Sequence, residues 1–265
     1  PSGVVQLHSS RYRHPAQLPD GGVLVVGAGP TGQQIADELA ISGRRVHLAV
    51  GRHRVLPRRY GGRDAFWWLD RTGASRRTVD ELVRRPVRAE SSVLAGGRDL
   101  DLRVLVSHGV VPHGRLVGVD GTRAVFADDL ASSMAAGEEH ARRFRERVDR
   151  YVARTGLRVP EDVAPAADMP RWAREPSTEL ELDRRRISAV IWATGYLRDY
   201  SWLHAPVLDA AGNPVQRRGV TSAPGLFFLG LSFMWRRDSS FIDGVGADAE
   251  YLADHIVGLD AHAAA

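Results

Sequence analysis

The chain is 265 residues long, and all 36 of its basic residues are arginine; it contains no lysine and no cysteine. The missing lysine excludes a GxxxxGK(S/T) phosphate loop and Schiff-base chemistry, and the missing cysteine excludes disulfides, thiolate zinc sites, iron–sulfur clusters and CxxC exchange. The 32 acidic residues leave a formal charge of +4, and the arginines fall in scattered groups such as Arg58-Arg59, Arg184-Arg185-Arg186 and Arg236-Arg237, so no nucleic-acid face is expected.

With 43% hydrophobic residues the composition is that of a soluble globular chain able to bury a sizeable core. No uncharged apolar run reaches the roughly 18 residues of a membrane span, and no signal peptide opens the chain, so no membrane partner and a cytoplasmic location are expected. Pro1 stands where an initiator methionine would, which suggests that an upstream segment has been removed.

Residues 1–20 read as a connecting arm, polar and without a sustained period. Val23 to Val26 predict a strand, followed at once by the turn Gly27-Ala28-Gly29-Pro30-Thr31-Gly32 and a helix from Gln33 to Ser42 that Gly43 stops. Val46 to Val50 predict the next strand, completing a unit of the length of a βαβ crossover. A short packed helix is expected at Phe66, Trp67, Trp68 and Leu69, and short β-rich segments between Leu102 and Phe126, with a hairpin turning at Asp120-Gly121.

Asp128 to Thr155 is the longest helical pattern. Leu130, Met134, Ala141, Phe144, Val148 and Tyr151 form its apolar stripe, and Glu138/Arg142, Glu139/Arg143 and Glu146/Arg150 are i,i+4 pairs. A covering loop is expected over 156–185. Strands follow at Ile187 to Ala193 and Leu226 to Leu231, then a closing helix from Gly246 to Ile256 and a frayed tail at 262–265.

The glycine turn follows a strand and opens a helix, the context in which GxGxxG reads as a dinucleotide site. Gly27 allows the tight turn, Gly29 a close approach of backbone to pyrophosphate, and Gly32 close packing of helix on strand, while the helix N-terminus offers free N–H groups. Where an NAD site places a carboxylate at the end of the second strand, this chain reads Gly51-Arg52-His53-Arg54. Arg52, with His53 or Arg54, would suit a 2′-phosphate, favouring NADPH over NADH; the other reading of Arg52 is a solvated surface arginine. The ten histidines show no HxxxH or HExxH spacing, so no metal is assigned, and no GxSxG follows a strand.

Four segments in order resemble the flavin-containing monooxygenase family, and most closely its bacterial flavoprotein branch that carries a potassium-transport label. They are Val4 to Tyr12, Gly27 to Gln34, Ala193-Thr194-Gly195-Tyr196, and Gly225 to Gly230 continuing to Ser240 to Ala249. The family signature FxGxxxHxxx(Y/F) is half kept: His8 and Tyr12 have the right gap, but Gly3 lies one residue too far from His8.

The resemblance implies an α/β fold, a Rossmann-like NAD(P)-binding domain of a two-dinucleotide flavoprotein with part of its FAD domain. It implies a linker arm over 1–20 from a missing FAD domain, an NADPH-binding domain over 21–186, and a C-terminal return segment of the FAD domain over 187–265. The cofactors so implied are NADP(H) and FAD: NADPH reduces FAD, and a flavin hydroperoxide oxygenates a small substrate. The cofactors carry that chemistry, so no catalytic side chain is assigned.

By the same resemblance Ser9 and Tyr12 orient NADPH, Thr194, Gly195 and Tyr196 sit at the hinge between domains, and Gly244 and Val245 face the flavin. Ala28, Pro30, Thr31 and Gln33 complete the turn's cofactor contacts. The expected partners are a small-molecule substrate and molecular oxygen, with a second copy of the chain as a candidate. The chain alone, without the FAD half, is expected to be inactive. The alternative is a non-catalytic NADP(H)-binding module or a truncated remnant.

Overall fold

A computed structural model describes residues 3–83, 100–162, 168–183 and 186–263. In chain order they form β1 (Val5–His8), β2 (Gly22–Val26), α1 (Pro30–Ile41), β3 (Val46–Ala49), the short pair β4 (Arg59–Tyr60) and β5 (Arg63–Asp64), α2 (Ala65–Arg71) and α3 (Val79–Val83). Then come α4 (Leu102–Ser107), β6 (Val111–His113), β7 (Leu116–Asp120), β8 (Arg123–Phe126), α5 (Leu130–Thr155), α6 (Arg171–Arg174), β9 (Glu179–Glu181), β10 (Ile187–Trp192) and α7 (Gly246–Ala263).

The contacts divide the chain into two units: Pro1–Ala65 with Ala89–Gly195, and Phe66–Arg88 with Tyr196–Ala265. Unit 1 is built on a five-stranded sheet in the order β1-β10-β2-β3-β6, and every pairing in it is parallel. Strand β2 is apolar throughout because both its faces are covered, as parallel sheets require. Val23 and Val25 meet Ile35 and Leu39 of α1 and Leu102 and Leu105 of α4 in one cluster, whereas Leu24 and Val26 join Ala124 and Phe126 of β8 in another. The antiparallel sheet β7-β8-β9 supplies that second cover.

Helix α5 buries Leu130, Met134, Gly137, Ala141, Phe144 and Val148 along the expected stripe, and Tyr151 is only half-buried. Its outer charges pair partly as expected: Arg143 meets Glu139 at 2.7 Å, but Arg142 bonds Glu139 and Glu146, and Glu138 instead reaches Arg103 of α4 at 2.9 Å. In unit 2, Trp68 of α2 is fully buried, and Val207, Phe228 and Met234 form a small core of their own.

Several elements differ from expectation. The segment over 1–20 contributes β1, whose four residues pair with β10 from Val5↔Ala189 to His8↔Trp192; so short a strand carries no readable alternation. Strand β10, which was expected to open the C-terminal segment, lies in the same sheet of unit 1 between β1 and β2. Between Leu102 and Phe126 the expected β-rich segments form β6, β7 and β8, but the region opens with a helix, Leu102–Ser107, capped by Asp101, which accepts from Val104 N at 2.9 Å. The span 156–185 holds α6 and β9; residues 163–167 and 184–185 of it, like 264–265 of the tail, lie outside the described residues. Leu226 to Leu231 is not a strand: Gly225 and Gly230 take φ of +76° and +77°, and only Phe227 forms an isolated bridge, to Val220.

Candidate functional site

In unit 1 the chain leaves β2 toward β3 on one side, while β10 flanks β2 on the other. That reversal of strand order makes the carboxyl end of β2 a topological switch point, the place where open α/β sheets bind ligands. Because all five strands are parallel, the residues that follow β1, β2, β3 and β10 gather along one edge. Those residues are Ser9, the Gly27 to Gly32 turn, Arg52 with His53, and Thr194 with Gly195.

The three glycines of the turn have different surroundings. Gly27 has φ +111°, and a Cβ on it would strike the carbonyl oxygen of Ala193 at the end of β10. A Cβ on Gly32 would strike the carbonyl oxygen of Gly27 and come within 3.2 Å of the Ala193 side chain. These two glycines let β2, α1 and β10 close on one another. Gly29, by contrast, faces open space, with nothing within 4 Å of its Cβ position. It is also the N-cap of α1, no side chain caps the helix, and Pro30 occupies its first turn. The first-turn N–H groups therefore have no intrahelical acceptor and lie next to the open space. Thr31 is exposed at the same end.

Around the turn, several candidate residues have structural work. The Ala28 carbonyl accepts Gln33 Nε2 at 2.8 Å, and both residues are buried. His53 is only 4% exposed; it donates to the same carbonyl, and its Nδ1 meets no partner among the described residues. Burial pushes its imidazole down to about 4, against which nearby Asp101 and the Ala28 bond act weakly. His53 is thus neutral at pH 7, which corrects the expectation that it could help bind a 2′-phosphate as a cation. It packs under Gly137 of α5, where an added Cβ would lie 2.8 Å from its Cδ2. A cavity of about 460 Å³ opens beside it, lined also by Val55, Leu102, Met134 and Glu138. Arg52 is exposed.

Tyr12 is buried, and its hydroxyl donates to Glu38 Oε2 of α1 at 2.9 Å; burial and that carboxylate push its phenol up. It ties the chain entry to α1 rather than facing the switch point. Ser9 is buried with its Oγ unpartnered among the described residues. His8 bridges two strand ends, with Nε2 3.1 Å from the Gly195 carbonyl and Nδ1 3.0 Å from Ser10 Oγ. The carbonyl needs a donor, so the neutral ring carries its proton on Nε2. Thr194 and Gly195 are exposed.

In unit 2, Tyr196 is exposed and Gly244 is buried against Asp238, with its carbonyl accepting Arg236 Nη2 at 2.9 Å; Val245 is half-buried. The surroundings of Gly244 account for a glycine there by packing.

Sequence reasoning named Ala193 within the Ala193 to Tyr196 segment but missed that Gly27 and Gly32 close on it, and it missed the link from His8 to Gly195. The signal for Ala193 was present, since a glycine turn packed on a neighbouring strand demands a small side chain there. Among the described residues no group of three or more His, Asp or Glu side chains is arranged to hold a metal, and no helix is long and apolar enough to cross a membrane.

No family model matches the chain. It is 33% identical over 257 residues to an uncharacterized CzcO-like oxidoreductase of Geobacillus kaustophilus, a match covering 96% of this chain and 58% of the relative. It is 28% identical, with the same coverage, to the uncharacterized oxidoreductase CzcO of Bacillus subtilis. The chain is thus similar in sequence to CzcO-like oxidoreductases over most of its own length. It spans 58% of the length of these curated relatives. A solved flavin monooxygenase from Stenotrophomonas maltophilia, bearing two substitutions, superposes with a TM-score of 0.56 at 18% identity over 97% of this chain and 56% of the other. The chain therefore shares the fold of a flavin monooxygenase, a mixed α/β fold with a parallel central sheet, in agreement with the motif resemblance.

Proposed function

We propose that this CzcO-like chain binds NADP(H) at the switch point of unit 1, and that within a longer polypeptide it serves a flavin-dependent oxidoreductase of the monooxygenase type. One observation carries the reading. Two glycines of the turn are closed by packing while the third, Gly29, opens on an uncapped helix N-terminus, which is the shape a pyrophosphate needs.

In this reading the N–H groups of Thr31 and Gly32 hold the pyrophosphate, and Arg52 forms a charge-assisted pair with the ribose 2′-phosphate. His53 holds the Ala28 carbonyl and keeps the turn in place. His8 fixes the Gly195 carbonyl where β1 and β10 end. When bound, the nicotinamide supplies hydride and the flavin passes electrons to dioxygen and a small substrate. The sequence holds one GxGxxG, and packing against Asp238 explains Gly244, so this reading assigns the flavin cradle to a longer polypeptide rather than to Gly244 and Val245.

Calorimetric titration tests the cofactor assignment. NADPH is expected to bind at least about tenfold more tightly than NADH, and Arg52→Ala to remove most of that difference. Equal affinities, unchanged in the variant, would refute it.

A further inference from the structure

Unit 2 contains a pocket of about 370 Å³, at the lower end of the range for small-molecule sites. One wall comes from the start of α3 and the other from the loops at 216–218 and 233–235, joined by the bond from Val79 N to the Trp235 carbonyl at 2.8 Å. Among the described residues only two non-glycine residues have left-handed backbone, Arg218 at φ +51° and Phe233 at φ +55°, and both line this pocket. Such conformations persist only where the surroundings hold them, and they concentrate at binding sites.

Arg218 is held in an unusual way. Its guanidinium carbon lies 3.7 Å from the centroid of the Tyr251 ring and 5.0 Å from that of Trp235. Its Nε is shielded from solvent and meets no acceptor, and no carboxylate among the described residues pairs with the group. The two rings attract the cation but offer it no oxygen acceptor, so its N–H groups still lack the two oxygens that a carboxylate or phosphate would supply.

The neighbouring groups leave that charge uncompensated. Asp80 lies 3.8 Å from Arg217, and both of those side chains are largely exposed. Gln216 is spent on the loop, giving Nε2 to the Met234 carbonyl and accepting from Gly219 N. Val79, Phe233, Met234 and Trp235 supply an apolar surface.

We propose that this pocket binds a small organic oxyanion, a carboxylate or phosphate monoester with a flat apolar body, whose headgroup is held by the N–H groups of Arg218. The site is independent of the dinucleotide reading, since it lies wholly in unit 2.

The test uses the whole chain and three probes: benzoate, phenyl phosphate and the neutral benzyl alcohol. In calorimetric titrations at least one acid is expected to bind about tenfold or more tightly than benzyl alcohol, and which acid does so separates the two headgroups. Arg218→Gln should abolish that preference, while Arg217→Gln should change it by less than about threefold. A second readout needs no variant: the bound acid should protect Arg218, mapped by peptide mass spectrometry, from phenylglyoxal. The proposal is overturned if neither acid exceeds benzyl alcohol, if the preference survives Arg218→Gln, or if Arg218 reacts equally with and without the acid.

Discussion

At the scale of single residues, the glycine turn separates fold from binding. Gly32→Ala would press a methyl group into the Gly27 carbonyl, and overpacking of that kind costs about 1–3 kcal/mol. Gly29→Ala meets nothing and should leave the melting temperature unchanged, yet weaken NADPH binding tenfold or more by filling the open space, on the order expected for losing about 1.4 kcal/mol. Thermal melts and titrations of the two variants check both halves; loss of stability in Gly29→Ala would show that its space is not open. The histidines give a pH prediction. His47 and His53 are both lowered to about 4 by burial, so the unfolded chain takes up protons first as pH falls. Their contribution is fully present above about pH 6.5 and is lost toward pH 4, amounting to about 3 kcal/mol for His53. The urea midpoint should fall between pH 7 and pH 5, and NMR titration should find both imidazoles changing near pH 4.

At the scale of elements, long amphipathic and apolar patterns were readable because period and burial coincide. The stripe of α5 and the run of β2 follow directly from which side chains avoid water. What escaped reading was set by partners distant in sequence. β1 is a strand only because β10 lies beside it, and His53 looked like a surface cation until Gly137 and the Ala28 carbonyl enclosed it. Leu226 to Leu231 misled in the opposite direction, since an apolar run promised a strand that its flanking glycines bend away. The positions of Gly27, Gly29 and Gly32 were legible, because their requirement is local. For α5, Phe144→Ala should cost about 3–5 kcal/mol, measured by denaturant unfolding, because the ring is only 3% exposed. Arg143→Ala, on the exposed face, should leave the midpoint unchanged within error.

At the scale of the whole molecule, the chain matches just over half the length of its CzcO-like relatives, so its chemistry is best tested in the longer protein. If the proposed function holds, a longer polypeptide spanning the full length of these relatives is expected to be yellow and to oxidise NADPH, and this chain alone to bind NADPH with little turnover. A longer protein that binds NADPH without oxidising it would favour a binding-only module.

The position of β10 has a further consequence, in time rather than in space. The strand that completes the centre of the sheet is made long after its two neighbours, β1 and β2, which wait on either side of a gap. During synthesis the apolar edge of β2 therefore stays unpaired on that side until residues 187–192 leave the ribosome, and the early segment must avoid sticking to other chains meanwhile. Loop closure over so long a separation makes folding slow as well as late. A piece ending at residue 186 should accordingly lack a cooperative unfolding transition and should aggregate, whereas one ending at Gly195, where unit 1 ends, should fold; circular dichroism melts and sedimentation distinguish the two.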